Sequence, residues 1–566
     1  MKKFFKRSVS VLLSAVMIGS CAAYSVFSTG AQESTASTSV ASASDLPENI
    51  KDGAILHCWC WDFNTIKENI PQIAAAGFKS IQTSPINAVK RGDNGQMSLK
   101  SNNKGNWWYQ YQPTDYTIGN YQLGTEEEFS EMCEEAHKYG IKVIVDIVAN
   151  HCSSDYSVIS SHVKNIGGKA FHDRVEISDW SNRYQVTQGK LTGLWDLNTQ
   201  NPAVQQMILD YCNEVLEAGA DGFRFDAAKH IELPDDDSSY AGDFWPTVLD
   251  NNAEFQYGEI LTGSDRAADY AKIMRITADA YGTNLRTGLS RHTVNVNTIK
   301  NYRITDVDAD RIVTWVESHD NFCSDDNSSW TILNNQQIRQ GWAFICAQGD
   351  TTPLFFARPQ GSSAYDPSAS DSENFNNKWG DNTIGLAGDG NYFSAEVEAV
   401  NKFRNAMVGE GKNLVNVVKN KVTMIERGTK GAVLVSVSEN DTNINVSTNL
   451  AEGTYVDQAN GGTFVVSGGK LTGSLKAGSV AVLYTPDEGS DFILGDINGD
   501  GRLTIEDATL LQRYLADFRN ADGTPIIDPE DPAQFKIADF NGDKKININD
   551  VTDMQRNLAE LNVSLR

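Results

Sequence analysis

The strongest constraint on this chain is an alternation of short β-rich apolar runs with helical patterns, sustained from about residue 45 to residue 406. "AILHCWCW" precedes the amphipathic "NTIKENIPQIAAAGF". "KSIQTSP" follows, then "EEEFSEMCEEAHKYG" before "IKVIVDIV", and "PAVQQMILDYCNEVLEAGA" before "GFRFDA". Strand-then-helix repetition requires parallel strands joined by helical crossovers. About 360 residues of such repetition predict a closed (β/α)8 barrel, an α/β fold of the TIM type, rather than an open sheet. The rhythm breaks from about 152 to 184, an excursion after the third strand. From about 411 to 484, "KVTMIERG", "AVLVSVSE", "NINVST", "TFVVSGG" and "VAVLYT" are short strands between Gly, Asn and Lys turns, the pattern of an antiparallel β domain.

A chain of 566 residues, 40% apolar, has enough apolar surface for two to four domains. Its formal charge of −26 opposes nucleic acid and anionic membranes and favours neutral or cationic ligands. The N-terminus "MKKFFKRSVSVLLSAVMIGSCAAYSVFSTGAQ" has a basic start, an apolar stretch and small residues, as a secretory signal does. The expected cut is near Ala31 (signal 1–31). "IGSC" at Ile18–Cys21 offers a lipoprotein processing box as the rival. Ser and Gly interrupt the apolar stretch, which argues against membrane insertion. Residues 32–44 form a Ser/Thr/Ala spacer. Seven cysteines remain after Cys21, an odd, scattered set that gives no disulfide framework. Cys58 and Cys60, read as alternating on an apolar strand, are better explained as small buried residues than as a zinc site.

Barrel enzymes place their chemistry at the carboxyl ends of strands. Four apolar runs end in polar residues: Asp146, Asn150 and His151 in "VIVDIVANH"; Arg224, Asp226, Lys229 and His230 in "GFRFDAAKH"; Glu259 in "FQYGEI"; and His319 and Asp320 in "VTWVESHD". Singly, each carboxylate could be a helix cap or an ion-pair partner. Together they suggest a division of labour. Arg224 and Asp226 share a strand face, where the guanidinium would keep the carboxylate ionised for attack, while a partly desolvated Glu259 would keep a proton to give. Glycoside hydrolysis with retention needs that pair. Trp107, Trp108 and Tyr111 in "NWWYQYQP" offer faces for sugar rings.

Two loops near the C-terminal end carry oxygen ligands at EF-hand spacing. The first supplies Asp496, Asn498, Asp500, Arg502, Thr504 and Asp507, the second Asp539, Asn541, Asp543, Lys545, Asn547 and Asp550.

The ordered segments "GADGFRFDAAKHIELPDD", "EFQYGEI", "VTWVESHD", "TPLFFARP" and "KLTGSLKAGSVAVLY" resemble the α-amylase family, nearest its secreted Bacillus-type members. The resemblance implies a (β/α)8 catalytic barrel (45–406), a domain B inserted after strand three (about 152–195) and a C-terminal β-sandwich (407–485). By motif position Asp226 would be nucleophile, Glu259 general acid/base and Asp320 the third carboxylate. Trp107, Trp108, Tyr111, Gln112, His151, Arg224, Lys229, His230 and His319 would bind substrate. Asn150, Thr187, Asp196 and the carbonyl of His230 would hold a structural Ca2+. The two EF-hand-like loops resemble a dockerin (495–566, after a linker at 486–494), a helix following each loop, with a cohesin of a scaffold protein as partner. Lys544 at position 6 of the second loop and a 43-residue repeat offset depart from the dockerin pattern. The expectation is a secreted endo-acting, monomeric α-amylase that cuts starch and maltooligosaccharides with retention. A glucanotransferase and a catalytically silent starch-binding subunit are the alternatives.

Overall fold

The computed structural model describes residues 46–558 except 93–94, 102–105, 262–265, 325–327, 485–493, 499–502, 521–523, 530–531 and 542–544. The signal, the spacer and residues 486–493 of the linker, together with Asp500, Arg502, Asp543 and Lys544, fall outside the described residues.

Eight parallel strands close a barrel: β1 (Ile55–Cys58), β2 (Ser80–Thr83), β3 (Lys142–Ile147), β4 (Gly222–Phe225), β5 (Phe255–Gly258), β6 (Arg275–Thr277), β7 (Ile312–Trp315) and β8 (Thr352–Phe356). Each pairs with its sequence neighbours, and β8 closes on β1 with Leu354 opposite Ile55. Both strand faces are buried, so the strands read as continuous apolar runs. One set of side chains, Ile55, Ile144, Phe255, Tyr257, Val313, Trp315 and Leu354, fills the barrel, while Leu56, Val143, Val145, Phe223, Phe225 and Ile276 belong to the larger core shared with the helices. Where β4 meets β5, a Cβ at Gly222 would stand 2.4 Å from the Phe255 carbonyl oxygen, so only glycine fits.

Helix boundaries follow local chemistry. In α1 (Phe63–Ala75), Asp62 accepts the Thr65 amide, and Ile66, Ile70 and Ile73 form the buried stripe. Helix α2 (Glu126–Lys138) opens with a Thr125/Glu128 capping box and three acidic residues, and ends with His137 and Lys138, matching its dipole at both ends. Cys58 ends β1. Cys60 lies beyond the strand, at φ +60°, so the two thiols do not alternate along one strand; all seven cysteines of the described region are free and buried.

The segment after β3 is held by short pairs, His151–Cys152 with Trp195–Asp196 and Val175–Glu176 with Gly189–Lys190. Beyond the barrel, eight antiparallel strands form two four-stranded sheets with a shared apolar core that includes Val422, Met424, Leu434, Ile444, Phe464 and Leu471. In the dockerin region, helices α3 (Ile505–Leu515) and α5 (Ile548–Leu558) follow the two loops. A third helix, α4 (Pro532–Ala538), precedes the second loop, and Ile527 of the long insert is buried with Leu511, Phe540 and Met554. The helix expected after each loop is present, and α4 is an addition to that pair. Among the described residues, no helix is long and apolar enough to cross a membrane.

Candidate active site

The strand ends converge on Arg224. Its Nη1 donates to both oxygens of Asp146 and to Asp226 Oδ1, each at 2.8 Å, and its Nη2 lies 3.0 Å from Glu259 Oε1. β4 ends at Phe225, so Asp226 sits one residue past it, and the chain turns through Ala227 in the left-handed region (φ +49°). That uncommon turn lets the Ala227 amide donate to Glu259 Oε2 at 3.0 Å. Burial pushes the Asp146 carboxyl up to about 7, against the opposing pull of Arg224. Burial also raises Asp226 and Glu259, again opposed by Arg224, and each carboxylate raises the next. One guanidinium thus faces three carboxyl groups, which cannot all ionise freely.

Above this cluster, Tyr111 Oη donates to Asp146 Oδ2 at 3.0 Å, and its ring stacks on His319 with centroids 5.1 Å apart and planes 14° apart. His151 Nε2 lies 3.1 Å from the Tyr111 carbonyl oxygen. Burial pushes His151 down to about 4 and His319 to about 3, so both rings are neutral near pH 7 and serve as hydrogen-bonding groups. Asp320 differs from the other carboxylates: its side chain is 52% exposed and lies 3.4 Å from His319 Nε2, at the open side of the cleft.

The remaining expected residues divide. Trp107 joins Tyr111 and His319 edge-on, at 5.8 and 5.7 Å. Trp108 packs on Tyr109 with the Lys90 ammonium over both rings. Gln112 turns its Oε1 to Ser153 and Ser154 of the inserted segment, an engagement its sequence position does not suggest. His230 lies against Val186 O at 2.8 Å and is lowered to about 4 by burial. Trp180, 56% exposed, stands 5.9 Å from the His230 ring, with the Lys229 ammonium 5.8 Å from its own. Trp59, beside Trp107 and His319, completes the aromatic group. Sequence reading passed over Trp180 and Trp59: one lies in a segment without periodicity, the other inside an apolar run.

The residues expected to hold a barrel calcium lie together where the inserted segment meets the barrel. Asn150 Nδ2 reaches Asp196 Oδ1 at 3.2 Å, and the His230 ring is tied to the residue before Thr187. Thr187 Oγ1 donates to Arg183 O, and the Thr187 carbonyl accepts Gln188 Nε2 at 3.0 Å, so a cation at this carbonyl would share it with that amide. Burial pushes Asp196 up to about 7, an effect that a bound divalent cation would reverse. His172 Nδ1 lies 2.7 Å from Asp196 Oδ2 and orients the carboxylate. One carboxylate, one amide and two carbonyls are hard oxygen donors that suit Ca2+. Among the described residues no cluster of three His, Cys, Asp or Glu side chains is set to hold a metal. In the dockerin region, Asp496, Asp507, Asp539 and Asp550 are all buried. Asp507 accepts the amides of Ile497, Asn498 and Thr504, and Asp550 those of Asn541 and Asn547, so position 12 closes each loop in the same way. Buried oxygens in this arrangement fit a divalent cation.

Comparison with known proteins identifies the family and the fold. Residues 46–340 match the family model "Alpha amylase, catalytic domain", and residues 494–559 match "Dockerin type I domain". An alpha-amylase of Butyrivibrio fibrisolvens is 40% identical over 491 residues, covering 80% of this chain and 49% of the relative. One of Clostridium acetobutylicum is 36% identical over 469 residues, covering 79% and 56%. The chain thus spans about half the length of these curated relatives. Among solved structures, wild-type alpha-amylase I of Eisenia fetida gives a TM-score of 0.64 at 18% identity, covering 78% of this chain and 98% of that one. A gamma-CGTase from alkalophilic Bacillus clarkii gives 0.60 at 18%, covering 78% and 71%. At such identities the likeness concerns the fold alone.

Proposed function

The chain belongs to the α-amylase family of glycoside hydrolases and carries a type I dockerin domain, and on that premise we propose that it is a secreted, endo-acting α-amylase. It cuts internal α-1,4-glucosidic bonds of starch and maltooligosaccharides with retention. The observation that carries this reading is that Asp226 and Glu259 share the two terminal nitrogens of Arg224. Two carboxyls held on the two terminal nitrogens of one guanidinium suit direct nucleophilic attack.

Asp226, held by Arg224, attacks the anomeric carbon as Glu259 gives its proton to the leaving oxygen, forming a glycosyl-Asp226 ester. Glu259, now ionised, takes a proton from water, which attacks the ester and releases the sugar. Burial raises Glu259 and Asp226 alike, so the assignment of acid and nucleophile rests on motif position. Asp320, exposed toward the cleft, is available to sugar hydroxyls, and neutral His151 and His319 hydrogen-bond the ring beside the cut. Tyr111 and Trp108 supply stacking faces, Trp107 flanks them, and Lys229 with His230 lies on the leaving side. Asn150, Thr187, Asp196 and His230 would hold a calcium that ties the inserted segment to the barrel. The division 45–406, 407–485 and 495–566 is catalytic barrel, β-sandwich and dockerin, the last docking on a cohesin for assembly into a complex.

The test is Glu259→Gln, which should abolish reducing-sugar release from soluble starch and spare binding. Product chromatography on maltooligosaccharides should show only chains shorter than the substrate; longer chains would make the protein a glucanotransferase.

A further inference from the structure

Two segments nearly three hundred residues apart are stitched together beside the aromatic wall of the cleft. Asn382 occupies the left-handed region (φ +50°), a conformation asparagine tolerates better than most side chains. Its side-chain amide behaves like a piece of strand backbone. Nδ2 donates to the Lys100 carbonyl oxygen at 2.8 Å, and Oδ1 accepts the Lys100 amide at 2.8 Å. Main-chain bonds flank this pair: the Leu99 amide donates to Asn382 O at 3.2 Å, and the Ile384 amide to Met97 O at 2.7 Å. The stitched segment then holds the cleft, because the Trp107 amide donates to Leu99 O at 3.1 Å. Leu99 packs among Trp59, Phe322, Trp379 and Ile384, with Trp107 against them.

We propose that Asn382 is a positioning residue for α-glucan binding, which fixes residues 97–101 and thereby the seat of Trp107 in the wall formed with Tyr111, His319 and Trp59. The inference rests on the glucan-hydrolase reading. A neutral polyhydroxylated chain offers rings and hydroxyls but no charge, so its grip depends on how rigidly flat side chains are presented. The Trp107 amide is held by Leu99 O, and the segment that carries this carbonyl is placed by Asn382, which follows β8 in the chain. The paired donor and acceptor of an amide are needed for this stitch; a glycine at 382 would keep the backbone conformation and lose both bonds.

Asn382→Gly therefore separates the stitch from the turn. It should raise KM for maltohexaose about tenfold, leave kcat within about twofold, and lengthen the mean product from amylose. In a double-mutant cycle, Asn382→Gly should add nothing to Trp107→Ala, since both act through one ring. Maltohexaose titration followed by tryptophan fluorescence gives the same comparison without turnover. Unchanged Kd and KM in Asn382→Gly, or effects that add fully to those of Trp107→Ala, would overturn the proposal even with altered thermal stability. A wild-type protein that binds maltohexaose but releases no sugar would overturn the hydrolase reading and leave the clamp to be judged by Kd.

Discussion

Arg224 Nη1 lies 2.8 Å from Asp226 Oδ1, two residues along the chain, while the same guanidinium reaches Glu259 from the next strand with its other terminal nitrogen. This contact sets the charge state of the site. Burial favours the neutral form of both carboxyls, and Arg224 is the largest opposing influence on each. Arg224→Lys supplies a point charge that cannot span two carboxyls in one plane. The expected loss in kcat is on the order of 10² to 10³. Because Arg224 lowers both carboxyls, weakening it should move both limbs of the pH–rate profile to higher pH. A profile that falls in height without moving would mean that Arg224 orients but does not tune.

A second prediction concerns stability. Asp236, 2% exposed, accepts from Arg183 Nη2 at 2.8 Å and from Arg266 Nη1 at 2.7 Å, joining the inserted segment to the loop after β4. Burial alone would raise its carboxyl, but Arg183, the Leu233 amide and Arg266 outweigh burial and hold it below the usual carboxylate range. A group depressed in this way stabilises the fold above its ordinary value near 4, and the contribution is lost as pH falls through the folded value. Asp236→Asn should destabilise the fold at pH 7, and by less at an acid pH below the folded value. Urea unfolding at the two pH values measures the difference, and equal losses at both would remove the electrostatic explanation.

Much of this was legible in the sequence because it is local. Apolar runs that end in Asp226, Glu259 and His319 mark strand ends whatever the rest of the chain does, and loop spacing marks Asp507 and Asp550. What escaped is long-range or lies in segments without period. The stitch between Asn382 and Lys100 joins residues whose neighbours give no hint of each other. Helix α4 and buried Ile527 lie in an insert rich in Pro, Asp and Gly that resembles a linker in composition. Gln112 sits within an aromatic motif, yet turns to Ser153 because the inserted segment folds back over it. Cys60 leaves its strand through a positive φ that apolar alternation does not encode.

The calcium site proposed for the barrel region leads to a third prediction. Asp196 combines burial with a hydrogen bond from Asn150 and orientation by His172. Removal of divalent ions by a chelator should lower the Tm of the fragment 46–484, and added Ca2+ should restore it. His172→Ala removes the partner of Asp196 Oδ2, leaving only Asn150 on Oδ1, and should weaken the calcium dependence of Tm by about 10 to 100-fold in apparent affinity. A Tm indifferent to chelator would show that Asn150, Thr187, Asp196 and His230 hold no metal.

The dockerin region makes the last prediction independent of catalysis. Asp507 is fully buried and accepts four bonds, from the amides of Ile497, Asn498 and Thr504 and from the Thr504 hydroxyl, so it caps helix α3 and closes the loop at once. Asp550 plays the same part in the first turn of helix α5, with the amides of Asn541 and Asn547. An alanine at either position removes a buried acceptor, leaves two or three amides unsatisfied and deletes a calcium oxygen. Asp507→Ala in the full chain should therefore abolish the calcium-induced rise in helical circular dichroism and calcium-dependent binding to a cohesin, while starch hydrolysis stays within about twofold of wild type. Asp550→Ala should do the same if the two loops fold as one unit around Leu511, Ile527, Phe540 and Met554. Retained cohesin binding in Asp550→Ala alone would show that the first loop and helix α3 suffice for docking. Hydrolysis lost together with binding would mean that the barrel depends on the dockerin, against the modular division proposed above.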